Sequence, residues 1–96
     1  RYSFIGLPSD LRFEVRGHVC SEFRGNALQS QVEHADPLQW VREIQARYRA
    51  PALPGLPRFA GGLVGYFGYD TVRYIEKRLA ETQKPDMLGC PDIMLM

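Results

Sequence analysis

The sequence has no long apolar run, few cysteines and almost no imbalance of charge. No apolar run approaches the roughly 18 residues that a membrane-spanning helix needs, which excludes such a helix from the 96 residues. Lysine and arginine total 12 against 11 acidic residues, a net charge of +1. A protein that binds a nucleic-acid backbone normally has a marked basic excess. The composition, 45% hydrophobic, therefore predicts a globular protein whose partners include neither membrane nor nucleic acid.

The two cysteines argue against a disulfide framework. Cys20 and Cys90 lie far apart in the sequence and form neither a CxxC pair nor the spacing of a metal site. We therefore expect two reduced thiols in a cytoplasmic chain.

Motifs of common catalytic sites are also missing. The glycine-rich run over residues 61–68 has neither the GxGxxG pattern nor the GK[ST] end of a phosphate-binding loop. No serine or cysteine has the neighbours of a nucleophile, and the carboxylates do not cluster like a metal cage. His18 and His34 are isolated in the sequence, so we expect surface histidines. The prediction is no catalytic residue and no metal site in this chain.

The first third of the chain has the pattern of antiparallel strands. Residues 2–6 are aromatic and β-branched, which predicts a strand. Residues 11–16 alternate strictly between apolar and charged, as in a half-buried strand. Residues 19–23 and 27–33 are predicted to follow as two more strands after short turns.

A helix is predicted to follow. Asp36 can accept hydrogen bonds from the first amides, and Pro37 suits the first helical position. Apolar residues then recur at helical spacing and predict a buried stripe. That stripe consists of Val41, Ile44 and Tyr48, with Trp40 beside it.

The second half should form a buried strand, a second helix and a last strand. Residues 59–68 have no polar face, so we expect a strand covered on both sides. Glycine inside a strand indicates close backbone packing. The glycines concerned are Gly62, Gly65 and Gly68. Asp70 is predicted to cap a helix whose apolar stripe is Val72, Ile75 and Leu79. Residues 92–96 form the last predicted strand.

Arginines and aromatic residues on the first strands could form a face for single-stranded nucleic acid. The candidates are Arg12, Arg16 and Arg24 with Tyr2, Phe4 and Phe13. Strand alternation places Phe13 opposite to the arginines, so an ordinary solvated face is the favoured interpretation. Two interpretations of Arg1 stay open: an exposed arginine, or a guanidinium that binds a carboxylate ligand through two hydrogen bonds.

Both ends of the chain are apolar. A strand-like run follows Arg1 directly, and residues 93–96 are apolar to the last position. Because domains usually end in polar, weakly ordered residues, we expect a single partial domain, residues 1–96, of a larger subunit.

Several segments resemble the N-terminal region of anthranilate synthase component I, the chorismate-binding large subunit. The resemblance is carried by RYSFIG at residues 1–6 and by LPRFAGGLVGYFGYDTVRYIE at residues 56–76. DPL at residues 36–38 and PDIMLM at residues 91–96 fall where that family has a helix start and a strand. The related aminodeoxychorismate synthase component I shares the fold but usually departs around residues 61–76.

The resemblance implies a function for the complete subunit. It would be a lyase that converts chorismate and glutamine-derived ammonia to anthranilate and pyruvate with magnesium, as the committed step to tryptophan. A glutamine amidotransferase subunit, component II, would supply the ammonia, and L-tryptophan would inhibit allosterically. The catalytic residues would lie in a C-terminal chorismate-binding domain outside this chain. Among the family's effector contacts, only Arg1 has a candidate position here.

The sequence thus predicts an α+β chain with antiparallel strands and two helices, without a catalytic constellation. Its expected role is that of an inactive regulatory and scaffold fragment near the tryptophan site. The alternatives are the corresponding region of aminodeoxychorismate synthase component I and an independent binding module.

Overall fold

The computed structural model describes residues 3–57, 59–81 and 86–96. The elements in chain order are β1 (Leu11–Arg16), β2 (Val19–Arg24), β3 (Ala27–Glu33), helix α1 (Pro37–Arg47), β4 (Gly65–Phe67), 3₁₀ segments at Tyr69–Tyr74 and Lys77–Leu79, and β5 (Ile93–Leu95). The strands form one five-stranded antiparallel sheet with the order β3-β2-β1-β5-β4. The predicted α+β class is confirmed.

Strands β1 to β3 form the predicted meander. Alternation along β1 places Phe13 and Val15 on a buried face, and the register pairs Val15 with Cys20 on β2. Gly17 has φ of 58° in the β1–β2 turn, a left-handed conformation that glycine adopts at little cost. The last strand, β5, pairs with the other edge of β1.

Helix α1 begins as predicted but ends at Arg47, before the last residue of the predicted stripe. The Asp36 carboxylate accepts hydrogen bonds from the amides of Leu38 and Gln39 at 3.1 and 3.2 Å. The prediction that Tyr48 extends the buried stripe is wrong: the helix ends at Arg47, and Tyr48 has extended backbone and an exposed side chain.

The buried apolar side chains of the described residues form one core between α1 and a face of the sheet. The Trp40 ring meets Phe13 edge-on, with 6.1 Å between ring centroids. The rest of the core is apolar and fully or nearly fully buried. Its buried members are Phe13, Val15, Cys20, Trp40, Val41, Ile44, Ile93 and Leu95. Arg47 on α1 pairs with Glu22 on β2 at 3.2 Å, at the margin of this core.

The strand expected over residues 59–68 is shorter and more exposed than predicted. Only Gly65–Phe67 is a strand, and all three of its residues are exposed at the edge of the sheet. The prediction that this strand is covered on both sides is wrong, because no described element packs on the outer side of β4. The close-packing prediction is confirmed at Gly65, where an added Cβ would lie 1.9 Å from the Met94 carbonyl oxygen.

The second predicted helix is present as the two 3₁₀ segments, without a buried residue. The prediction that Asp70 caps it is wrong. Gly68 is the N-cap residue, and Asp70 lies inside the first turn, where it pairs with Arg73 at 2.8 Å. The i→i+3 bonds of a 3₁₀ helix rotate the apolar positions off a common stripe, so Ile75 is exposed.

The strand predicted over residues 2–6 is also wrong where it is described. Residues 3–6 have no regular secondary structure, and Phe4 and Ile5 are 83% and 89% exposed. Tyr2 lies outside the described residues. Among the described residues, no helix has both the length and the apolar character for a membrane crossing.

Candidate functional site

Two clefts flank the sheet at opposite ends. The first, the polar cleft, has a volume of about 360 Å³ and lies where the β1–β2 turn meets the 3₁₀ segment and the start of β5. Its lining includes His18, Asp70, Arg73, Tyr74 and Asp92.

Asp92 is the centre of the polar cleft. Its Oδ2 accepts a hydrogen bond from the Gly17 amide at 2.6 Å, and the Tyr74 hydroxyl lies 3.0 Å from the same oxygen. The Tyr74 hydroxyl is also 2.6 Å from the Gly17 carbonyl oxygen, so its one proton is shared between two acceptors. The Asp92 amide donates to Val15 at 2.8 Å. One carboxylate thus holds a turn, a 3₁₀ segment and a strand together.

The environment of Tyr74 keeps its hydroxyl protonated. Burial raises the pKa of Tyr74 well above its ordinary value, and the negative charge and hydrogen bond of Asp92 raise the pKa further. The hydroxyl is therefore a hydrogen-bond donor at neutral pH and not a base.

The two histidines, predicted to be isolated, lie next to each other. The His18 Nδ1 atom is 3.0 Å from the His34 carbonyl oxygen, and the His34 amide donates to the His18 carbonyl at 2.8 Å. His34 Nδ1 in turn accepts from the Asp36 amide at 3.0 Å. The Nδ1 atoms of both rings thus contact the backbone, so the two histidines position the residues just before α1.

The second cleft, the apolar cavity, has a volume of about 450 Å³ and lies between the start of β1, the end of α1 and the residues before β4. Leu11, Phe13 and Leu63 give it an apolar floor, and Ser9 and Arg49 supply polar atoms at its rim. The cavity opens directly onto the core residue Phe13, which is 1% exposed.

Neither cleft has the parts of a catalytic centre. Among the described residues that line the two clefts, no serine or cysteine side chain hydrogen-bonds to a histidine ring. Over residues 3–57, 59–81 and 86–96, no group of three or more His, Cys, Asp or Glu side chains could hold a metal ion. Magnesium, which the resemblance implies for the complete enzyme, therefore has no fitting site in the described part of this chain. The arrangement is suited to holding elements together.

Arg1, the predicted effector contact, lies outside the described residues. The predicted separation of arginines and aromatic rings on β1 is confirmed, since Phe13 faces the core while Arg12 lies on the opposite face. Arg12 pairs there with Glu14 at 2.8 Å and stacks over Phe23. Arg16 lies 3.6 Å from Glu14 as well, so the two arginines of this face share one carboxylate.

The polar cleft was not found from the sequence. Tyr74, Asp92 and Gly17 come from three separate parts of the chain, and none belongs to a recognisable motif. The one usable signal was the position of Asp92 at the start of a strand, where an aspartate is otherwise uncommon.

Cys20 and Cys90 should react very differently with thiol reagents. Both are free thiols; Cys20 is buried in the core and Cys90 is exposed. Burial raises the pKa of Cys20 to about 11, which removes nearly all thiolate near neutral pH. We expect iodoacetamide at pH 8 to label Cys90 at least about 100-fold faster than Cys20, as followed by peptide mass spectrometry. Equal rates in the native protein would contradict the buried position of Cys20.

Comparisons with known proteins give a consistent relationship. The chain is 54% identical over 96 residues to anthranilate synthase component 1 of Pseudomonas aeruginosa, and 51% identical to that of Pseudomonas putida. It is 42% identical over 99 residues to the protein of the same name from Neisseria meningitidis. Each match covers 100% of this chain and 20% of the relative, so the chain spans about a fifth of their length.

The search of protein-family models gave no match, and the search of solved structures gave none either. The family relationship of this chain therefore rests on these relatives, which confirm the resemblance of residues 56–76 to that family. Over its whole length, this chain is related to the N-terminal region of anthranilate synthase component 1.

Proposed function

We propose that this chain is the N-terminal regulatory and scaffold region of an anthranilate synthase component 1. The complete polypeptide converts chorismate and ammonia to anthranilate and pyruvate, and this region shapes the site at which L-tryptophan inhibits. The region itself is inactive. Its partners are the catalytic part of the same polypeptide and a glutamine amidotransferase subunit in the cytoplasm.

One observation carries the proposal: 54% identity over the full chain to a protein named anthranilate synthase component 1. Identity at this level over 96 residues accompanies the same backbone and the same buried contacts. The described residues support a scaffold role, because their polar side chains are used in hydrogen bonds that fix the backbone. Asp36 and Asp92 are examples.

The catalytic step needs groups that this chain does not supply. Magnesium would be held by the part of the polypeptide that the chain does not include. Regulation would operate as a two-state equilibrium in which tryptophan prefers the inactive arrangement.

The test of activity uses the complete polypeptide together with its amidotransferase. Chorismate, magnesium and glutamine should give a growing anthranilate fluorescence, and the product should be identified by mass. Formation of aminodeoxychorismate in place of anthranilate would contradict the proposal and favour the related synthase.

The test of regulation addresses Arg1. A guanidinium paired with the carboxylate of tryptophan contributes about 1.5–3 kcal/mol, which corresponds to about a 10- to 150-fold change in affinity. We therefore expect Arg1→Ala to raise the tryptophan concentration for half-inhibition at least about tenfold, with kcat unchanged. Arg24→Ala, at an exposed arginine on β2, is the matched control and should leave inhibition as it is. Unchanged inhibition in Arg1→Ala would remove Arg1 from the effector site.

A further inference from the structure

We propose that the N-terminal segment, residues 3–7, closes onto the sheet, with residues 3–5 as a sixth strand along the free edge of β4. In this closed state Leu7 crosses the apolar cavity. The inference rests on the exposed apolar side chains of the N-terminal segment and on the unpaired backbone edge of β4. It does not depend on the proposed enzymatic function.

The N-terminal segment has the composition of a strand but no partner in the structure. Phe4, Ile5 and Leu7 are 83%, 89% and 82% exposed. Three large apolar side chains in so short a run are costly to leave in water, and β-branched and aromatic residues favour extended backbone. Pro8 follows the segment and restricts Leu7 to extended conformations as well.

The edge of β4 offers a complementary backbone. Val64 and Met96 exchange two backbone hydrogen bonds, at 2.9 and 2.8 Å, and the Gly68 amide donates to Asp92 at 2.7 Å. Hydrogen-bonded pairs alternate along an antiparallel ladder, so Gly65 and Phe67 direct their amides and carbonyls away from β5. Among the described residues, no strand pairs with that side of β4.

The apolar surface next to this edge is open on the same face. Gly65 lies opposite Leu95, and Phe67 lies opposite Ile93, so the Phe67 side chain belongs to the core face of the sheet. Phe67 is nevertheless 52% exposed, because α1 covers the other half of the sheet. On a neighbouring strand, Ile5 opposite Gly65 would place its side chain on this same face, beside the exposed Phe67 ring.

The connection is long enough for this closure. Phe13, Leu95 and Gly65 lie side by side on the ladder, so a sixth strand lies three strand spacings from β1. The distance from Leu11 to Ile5 is therefore three strand spacings across the sheet and two residues along it, or about 16 Å. The six residue steps between Leu11 and Ile5 span about 20 Å when extended.

The path of the connection crosses the cavity. Ser9 lies at the rim of the cavity, and Leu11 and Leu63 are part of its apolar floor. A chain that runs from Leu11 to the edge of β4 passes over its opening, with Leu7 above the apolar floor. The closed register places Ile5 opposite Gly65 and Phe4 opposite Tyr66.

A designed disulfide tests this register in the complete polypeptide. In the closed register Phe4 and Tyr66 form a non-hydrogen-bonded pair, whose Cα separation of about 4.5 Å suits a disulfide. We expect the double variant Phe4→Cys/Tyr66→Cys, in a Cys90→Ser background, to form an intrachain disulfide in most molecules under mild oxidation. The matched control, Phe4→Cys/Leu28→Cys, uses an exposed residue on the opposite edge of the sheet and should cross-link at least about five times less.

Hydrogen exchange of the unmodified polypeptide provides a second measurement. The Gly65 and Phe67 amides should exchange at least about tenfold more slowly than free edge amides. Rapid exchange at both amides would overturn the proposal. Slow exchange without the Phe4–Tyr66 cross-link would also overturn it, because another part of the polypeptide would then cover the edge. Equal cross-linking in the Leu28 control would do the same.

Discussion

Replacing Gly65 by alanine should destabilise the fold by about 3 kcal/mol or more, at the upper end of the cost of overpacking. A Cβ at this position would lie 1.9 Å from the Met94 carbonyl oxygen and 2.9 Å from the Leu95 Cα. These contacts are backbone atoms of β5, so no side chain can rotate away. The strand itself must shift, which breaks the β4–β5 ladder and moves Leu95 in the core.

The matched control is Gly61→Ala in the same glycine-rich run. An added Cβ at Gly61 has no atom within 4 Å, and Gly61 has no positive φ. We expect a change of less than about 0.5 kcal/mol there. The free energy of unfolding from urea titration, with hydrogen exchange of the Met94 amide as the local probe, distinguishes the two variants. Equal stability of both would mean that β4 does not approach β5 this closely.

Local patterns predicted the part of the fold that depends on local physics. The alternation of residues 11–16 produced β1 because a strand has a period of two and one face meets α1. Asp36 capped the helix because the cap needs only the amides of the next three residues. Such features are contained within a few residues of the sequence.

The strand predicted over residues 59–68 shows that an apolar pattern alone does not predict burial. A continuous apolar run predicts burial on both sides only if elements exist to cover both sides. Here α1 packs over the half of the sheet that contains Phe13, which its Trp40 contacts, and β4 stays at an exposed edge. The glycine spacing was more reliable, since the close approach at Gly65 depends on the neighbouring backbone and not on cover.

The polar cleft could not be predicted, because its contacts join residues that are distant in sequence. Gly17 and Asp92 meet only after β5 pairs with β1, and Tyr74 reaches them only after the 3₁₀ segment packs beside the turn. A single sequence carries no signal for that register. The effector prediction at Arg1 stays a prediction, since that residue lies outside the described part of the chain.

Replacing Asp92 by alanine should cost about 1.5–3 kcal/mol, because it removes hydrogen bonds to a charged group, while the Tyr74 hydroxyl keeps its contact with the Gly17 carbonyl. The Gly17 amide and the Tyr74 hydroxyl would both lose Oδ2. The matched control is Asp86→Ala. Within the described residues, Asp86 accepts from amides of its own loop, Leu88 and Cys90, and its replacement should cost less than about 1 kcal/mol.

The titration of Tyr74 separates this role of Asp92 from a general loss of packing. Burial raises the Tyr74 pKa first, and Asp92 raises it further, so the folded state holds the phenolic proton more tightly than the unfolded chain does. This contribution to stability is complete below the ordinary tyrosine pKa of about 10 and is lost as the pH rises toward the folded value.

The variant Asp92→Ala loses the carboxylate that raises the Tyr74 pKa, so Tyr74 should ionise at lower pH. Its pKa should still stay above the ordinary value, because Tyr74 remains buried. Ultraviolet absorbance at alkaline pH, taken as the difference between each protein and its Tyr74→Phe counterpart, isolates this one phenol. An identical Tyr74 titration with and without Asp92 would place the carboxylate away from the hydroxyl and exclude it as the contact that joins the β1–β2 turn to β5.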